Sequence, residues 1–193
     1  NYLIGVNLGQ SQTEYTVKAG TTGIAGWAFR DCYALTSIEL PEGLLYISDE
    51  AFSNSRITSI NIPGSVKYIG TSAFFYCQRL ASITIADGVT GIQNYAFEGS
   101  AYYNNEDNWK DGALYIGNYL IAVRSSEVSD SYEVKAGTVG IAGGAFTNCE
   151  QLTSVTIPAS VMSIDSEAFC WNQSLSTIIY EGTEKQWNAI VKG

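Results

Sequence analysis

The chain has 193 residues, 46% of them hydrophobic, and its 10 Lys and Arg stand against 19 Asp and Glu for a net charge of -9. At this length folding buries roughly 70% of the surface of the unfolded chain, so a core needs no metal or disulfide staple. The acidic balance repels phosphate backbones and anionic lipid, which argues against nucleic acid and membrane surfaces as partners. Histidine is absent, which removes the commonest proton shuttle and metal ligand, and no apolar run approaches the ~18 residues of a membrane span.

In chain order, Asn1-Tyr2-Leu3-Ile4-Gly5-Val6 reads as the return strand of a hairpin, which places further repeats ahead of Asn1 in a longer protein. Tyr15 and Val17 then form a short strand, followed by Ile24 and Ala28-Phe29. From here the pattern repeats. Ala-Phe returns at Ala51-Phe52, Ala73-Phe74, Ala96-Phe97, Ala145-Phe146 and Ala168-Phe169, with Phe spacings of 23, 22, 23, 49 and 23. An isoleucine stands five positions before each Phe, and an apolar-x-apolar pair nine positions after most of them (eight after Phe52), as in Ile38/Leu40, Ile60/Ile62, Ile83/Ile85 and Val155/Ile157. A period of 20–50 residues is the signature of a solenoid.

Alternation in Ser82-Ile83-Thr84-Ile85 turns both isoleucines inward and the hydroxyls outward, as a strand of period two requires. Pro41, Pro63 and Pro158 follow this strand and end it, because proline has no N–H for the ladder. A second short apolar stretch, such as Val66 to Ile69, leads into a tight turn that inserts Ala-Phe into the core. One unit cannot bury its apolar side alone; stacking buries a column of Ile and Phe worth roughly 1.5–3 kcal/mol per side chain.

The 49-residue spacing holds an insertion of about 26 residues, 99–124, in which Ala113-Leu114-Tyr115-Ile116, a Gly117-Asn118 turn and Tyr119-Leu120-Ile121 read as a β-hairpin. Residues 118–169 repeat 1–52 at a constant offset of 117. At the far end Thr183 is placed to cap a helix from Glu184 to Val191 that covers the stack with Trp187, Ile190 and Val191. The expected organisation is one leucine-rich-repeat-like domain, a right-handed β-solenoid or horseshoe of 22–23-residue units. It has a parallel sheet on one face and short strands and turns on the other. Its repeats span about 15–98 and 132–180, and its cap about 181–193.

The pattern Ile69, Ala73-Phe74, Cys77, Leu80, Ser82-Ile83-Thr84-Ile85 resembles the BspA-type leucine-rich repeat, with Ala86 where proline is usual. The closing Tyr180-Glu181-Gly182-Thr183 to Trp187-Asn188 and the insert from Tyr102 to Gly117 are similar to that family's terminal and hairpin segments. The resemblance implies a bacterial cell-surface protein that adheres to proteins of a host or neighbouring cell. The motif is a scaffold and carries no ligand residues to transfer.

Two surfaces are candidates for binding. The first is the outward strand column Glu39, Asn61, Thr84, Glu133 and Thr156, flanked by Ser37, Ser59, Ser82, Ser131 and Ser154; against it stands a merely solvated sheet face. The second is the insert, where Tyr102, Tyr103, Trp109, Tyr115 and Tyr119 gather beside Glu106, Asp107 and Asp111. Loops on a rigid scaffold and exposed aromatics are usual anchors; the opposing reading folds the hairpin back onto the solenoid. Asn105, Asp107 and Asp111-Gly112 echo a calcium loop but miss its spacing. Cys32, Cys77 and Cys149 share the third position after Phe with Ser55, Ser100 and Asn172, which reads as a small inward thiol; a Cys149–Cys170 bridge is the alternative.

No cofactor or metal is expected, since Cys-x-x-Cys and His are both missing. Catalysis is not expected either: no histidine activates a Ser or Cys, and Glu39 and Glu133 fall too many strands apart for a glycosidase pair. The function expected is a monomeric, extracellular adhesion module for a protein ligand, with a glycan as second candidate. A structural spacer, or a carbohydrate-binding accessory module of a larger surface protein or enzyme, is the alternative.

Overall fold

The computed structural model describes residues 1–5 and 11–193, so Val6 of the N-terminal strand lies outside the described residues. The chain divides into two compact units, Asn1–Asn108 and Trp109–Gly193. The first holds β1 (Tyr2–Leu3), β2 (Glu14–Thr16), β3 (Gly23–Ile24), β4 (Ser37–Glu39), β5 (Tyr46–Ile47), β6 (Ser59–Ile62), β7 (Tyr68–Ile69), β8 (Ser82–Ile85), β9 (Gly91–Ile92) and a one-turn helix α1 (Ala101–Asn104). The second holds β10 (Trp109–Lys110), β11 (Ala113–Ile116), β12 (Tyr119–Val123), β13 (Ser131–Glu133), β14 (Gly140–Ile141), β15 (Ser154–Ile157), β16 (Ser163–Ile164), β17 (Thr177–Tyr180), α2 (Glu184–Ala189) and β18 (Val191–Lys192).

Each unit is a β-solenoid in which every coil adds one strand to each of two parallel ladders. The face strands form β2-β4 and β6-β8 in the first unit and β13-β15-β17 in the second, while the two-residue strands form β1-β3-β5-β7-β9 in the first unit and, in the second, β14-β16-β18 continuing from the five-residue β12. The alternation read from the sequence sets the register: Ile60 pairs with Ile83 and Val155 with Ile178, so inward residues stack on inward residues. The repeat offset of 117 survives at this level. Tyr2 and Leu3 face Gly23 and Ile24 as Tyr119 and Leu120 face Gly140 and Ile141. Tyr15 meets Phe29 edge-on at 5.3 Å and Tyr132 meets Phe146 at 5.2 Å.

A third wall is made by the Ala-Phe turns. Residues two before and two after the Phe adopt positive φ, as in Glu50 (52°), Asn54 (59°), Ser72 (54°) and Tyr76 (54°). The alternation of left- and right-handed residues points every second N–H along the stack. Phe29, Phe52 and Phe74 donate to the carbonyls of Ala51, Ala73 and Ala96, and Asp31, Asn54 and Tyr76 to those of Ser53, Phe75 and Glu98. The turns are therefore hydrogen-bonded from coil to coil, which satisfies backbone groups that burial would otherwise strand. Inside, the Phe rings are fully buried and stack at 4.9, 5.0 and 5.3 Å from Phe29 to Phe97.

Two expectations change. The insert is a three-stranded meander rather than a single hairpin: β10 pairs with β11 and β11 with β12, both antiparallel. Asp111 and Gly112, at φ 49° and 73°, make the two-residue turn between β10 and β11, the mirror-image turn that suits twisted strands. Of the residues that echoed a calcium loop, Asp111 and Gly112 form this turn, while Asn105 caps α1 and Asp107 lies in a single 3-10 turn after it. The cap helix stops at Ala189 with its expected Thr183 capping box to Gln186. Val191 is no helical residue: Ile190 turns extended and buries, and β18 pairs in parallel with β16.

Candidate functional site

The face column stands as its period required. Glu39, Asn61, Thr84 and Glu133 are exposed and Thr156 is half-buried. Neighbours in the column bond sideways to each other: Thr16 Oγ1 donates to Glu39 Oε2 at 3.1 Å and Thr84 Oγ1 to Asn61 Oδ1 at 2.6 Å. Ile179, in line with Thr156, is 51% exposed. Glu39 and Glu133 belong to different compact units. In each unit the face strands present polar side chains outward from parallel-paired backbone.

The insert aromatics are not one cluster on one element. Tyr102 and Tyr103 ride half-buried on α1 of the first unit, with Ser100 capping the helix by accepting from the Tyr103 N–H. Trp109, Tyr115 and Tyr119 belong to the second unit. There Arg124 lies 4.2 Å from the centre of the Trp109 ring and also pairs with Glu127 at 3.2 Å. Tyr115 packs on the core of that unit, and its hydroxyl accepts from the Lys135 N–H at 3.2 Å. Tyr119 is 2% exposed and presents no contact surface. It stands directly opposite Gly140 in the ladder, so β12 is a coil of the solenoid and its tyrosine is core.

Several large exposed rings lie on the turn edge, a surface that residue type and spacing do not mark. Trp27, Tyr33, Tyr76 and Tyr95 in the first unit and Trp171 in the second are 48–71% exposed. Trp27 and Tyr95 occupy the position two before Phe, Tyr76 and Trp171 the position two after it, all at φ between 54° and 62°. A left-handed conformation costs an L-residue roughly 1–2 kcal/mol and suits Gly, Asn or Asp, which take the matching positions at Gly144, Asn54 and Asp31. Bulky rings there are held against local preference, and such outliers gather at functional surfaces. These positions flank the Ala-Phe pair in every unit, but only coordinates show that they point out.

The four cysteines are free. Cys77 and Cys149 are buried, as the inward-thiol reading required, and Cys32 is half-buried. The Cys77 thiol donates to the Phe52 carbonyl at 3.0 Å; burial pushes both Cys77 and Cys149 up to about 11. Cys170 lies 3.1 Å from the Thr147 hydroxyl. Among the described residues no three Cys, Asp or Glu side chains converge as metal ligands, and no helix is long and apolar enough to cross a membrane.

With the coil geometry in hand, the BspA type leucine-rich repeat model matches six copies over residues 8–122 and 116–189. The chain belongs to the BspA-type leucine-rich repeat family. Solved structures similar to this family member include a leucine-rich cell surface protein from Faecalibacterium prausnitzii, 26% identical over 93% of this chain and 62% of that one, with a TM-score of 0.40. The pneumococcal vaccine antigen PcpA is 22% identical over 86% of this chain and 50% of its own, with a TM-score of 0.47. A leucine-rich repeat protein from Eubacterium ventriosum is 16% identical over 86% and 49%, with a TM-score of 0.38. The chain thus spans from about half to 62% of these proteins. No curated protein matches it.

Proposed function

We propose that this chain is a non-catalytic binding module of a bacterial surface protein, displayed outside the cell, which holds a protein of a host or neighbouring cell on its face strands. The observation that carries the reading is the exposed set Glu39, Asn61 and Thr84 on the face strands of the first unit, where β2 pairs with β4 and β6 with β8 in parallel. Residues already ordered on paired strands lose little entropy on binding. The insert is the weaker site, because Tyr119 is core and Trp109 and Tyr115 are already engaged by Arg124 and Lys135. Family membership and the cell-surface description of the F. prausnitzii protein support the location.

The test is solid-phase binding of the chain to immobilised extracellular-matrix proteins, with two variants. Asn61→Arg with Thr84→Arg puts bulk and charge on the face; Tyr102→Ala, Tyr103→Ala and Trp109→Ala together strip the insert. The face variant is expected to bind at least about tenfold more weakly with an unchanged melting curve, the loss that a contact worth more than 1 kcal/mol produces. Loss confined to the insert variant would move the site there. Absence of binding by the parent chain would favour a spacer.

A further inference from the structure

A notch of about 250 Å³ opens on the turn edge of the first unit, lined by Tyr33 from one coil, Asn54 and Arg56 from the next, and Tyr76, Gln78 and Arg79 from the third. Its cause is legible in the chain. Full coils place six residues between Phe and the next inward aliphatic, counting the latter, as in Phe29 to Leu35 and Phe74 to Leu80; the middle coil has five, Phe52 to Ile57. In full coils the N–H of Leu35, Leu80, Leu152 and Leu175 closes a second turn onto Cys32, Cys77, Cys149 and Asn172. The short coil runs from Ser55 to Ile57 without a turn. The missing residue recesses the middle coil, and the 22-residue spacing inside a 23-residue period marks the place.

The notch gathers two arginines. The chain has four arginines. Arg30 pairs with Glu50 at 2.6 Å and Arg124 with Glu127 at 3.2 Å. Arg56 and Arg79, the two in the notch, form no ion pair among the described residues, on a chain with 19 carboxylates. Both residues are exposed and line the same cavity.

The rings beside them are held in place. The Tyr33 hydroxyl donates to Asp31 Oδ1 at 3.0 Å, while Asn54 Nδ2 donates to the same carboxylate at 2.7 Å and to the hydroxyl at 3.0 Å. Arg56 sits 5.7 Å from the centre of the Tyr33 ring. Tyr76 is fixed by its left-handed backbone, by Phe75 at 4.6 Å, and by Gly99, where a Cβ would lie 2.8 Å from its ring.

We propose that this notch binds one carboxylate-bearing pyranose, a uronic or sialic acid unit of a glycan. Arg56 and Arg79 take the carboxylate, for which the guanidinium fork is matched in geometry. Tyr33 and Tyr76 offer ring faces to the sugar's C–H groups, and the Asn54 and Gln78 amides offer donors and acceptors to its hydroxyls. The volume lies below the roughly 300–1,000 Å³ of drug-sized pockets, room for one ring and not for a run of side chains. No free strand edge lies here for a peptide to extend. The site is independent of the face column and of the protein-binding reading.

The experiment is an NMR titration of the full 193-residue chain with the methyl glycosides of glucuronic acid and N-acetylneuraminic acid, neutral methyl glucoside, and a tri-glutamate peptide. The expected result is saturable binding of at least one acidic glycoside, methyl glucoside and tri-glutamate weaker by about tenfold or more, and loss of binding in Arg56→Gln/Arg79→Gln at an unchanged melting temperature. Which glycoside binds tells a uronic from a sialic acid ligand. If the double variant melts early, the single Arg79→Gln serves and should weaken the same ligand. The proposal is overturned if neither acidic glycoside saturates, if the neutral sugar or the peptide binds as well, or if the arginine variants bind as the parent does.

Discussion

Two glycines show how one side chain's absence is used differently at equivalent positions. Gly23 lies under the Tyr2 ring and Gly140 under Tyr119, in the same ladder register. A Cβ at Gly140 would stand 2.8 Å from the Tyr119 ring and 2.9 Å from Ser163 Oγ, and Tyr119 is 2% exposed. That ring has nowhere to go, since β11 flanks its strand. Tyr2 is 57% exposed and can swing away. Gly140→Ala should therefore lower unfolding free energy by about 1–3 kcal/mol, the cost of overpacking, while Gly23→Ala costs less than about 1 kcal/mol. Equilibrium denaturation of the two variants separates them, and equal losses would contradict the packing argument.

At the scale of the element, the Phe column is the feature that makes coils cohere. Phe29, Phe52, Phe74 and Phe97 lie within 4° of parallel from ring to ring, an offset stack that adds to simple burial. Phe52 has a ring on each side and is fully buried, whereas Phe169 stacks on Phe146 at 5.0 Å and is half-buried. Phe52→Ala is expected to cost about 3–5 kcal/mol and Phe169→Ala less than half of that, again by denaturant unfolding. The Ala-Phe pair and its period were legible without coordinates because volume and alternation specify a buried column. The αL positions beside it were not, since Trp27 and Tyr76 break the residue preference that would have announced them.

For the molecule as a whole, the absence of histidine removes the ordinary titration near neutrality and moves the expected pH response into the alkaline range. Burial raises the Cys77 and Cys149 thiols from about 9 to about 11, and raises the Tyr132 phenol as well. The unfolded chain would release these thiol protons first. Their contribution is whole below pH 9 and is lost as pH climbs through 11, because a raised folded pKa favours the folded state only while the proton is kept. Melting temperatures should hold up to pH 9 and fall between 9 and 11, less steeply in Cys77→Ala/Cys149→Ala than in the parent. An equally steep fall in both would assign the response to other groups.

The division between sequence and tertiary structure follows from what each kind of interaction needs. The 23-residue period, the inward Ile and Phe, the proline strand ends and the Thr183 cap are encoded by spacing and residue type alone, because strand alternation and capping are local physics. The sequence also contained the one-residue deletion between Phe52 and Ile57, but as a number without a meaning. Only stacking turns that deletion into a notch, because a recess exists relative to the coils on either side. The fate of Tyr119 was likewise decided by pairing: its residue type suited a binding loop or a core equally well, and the ladder to Gly140 under the cover of β11 put it inside. Arg56 and Arg79 stand 23 positions apart, one repeat, and it is the fold that brings the two to one cavity, neither in an ion pair among the described residues.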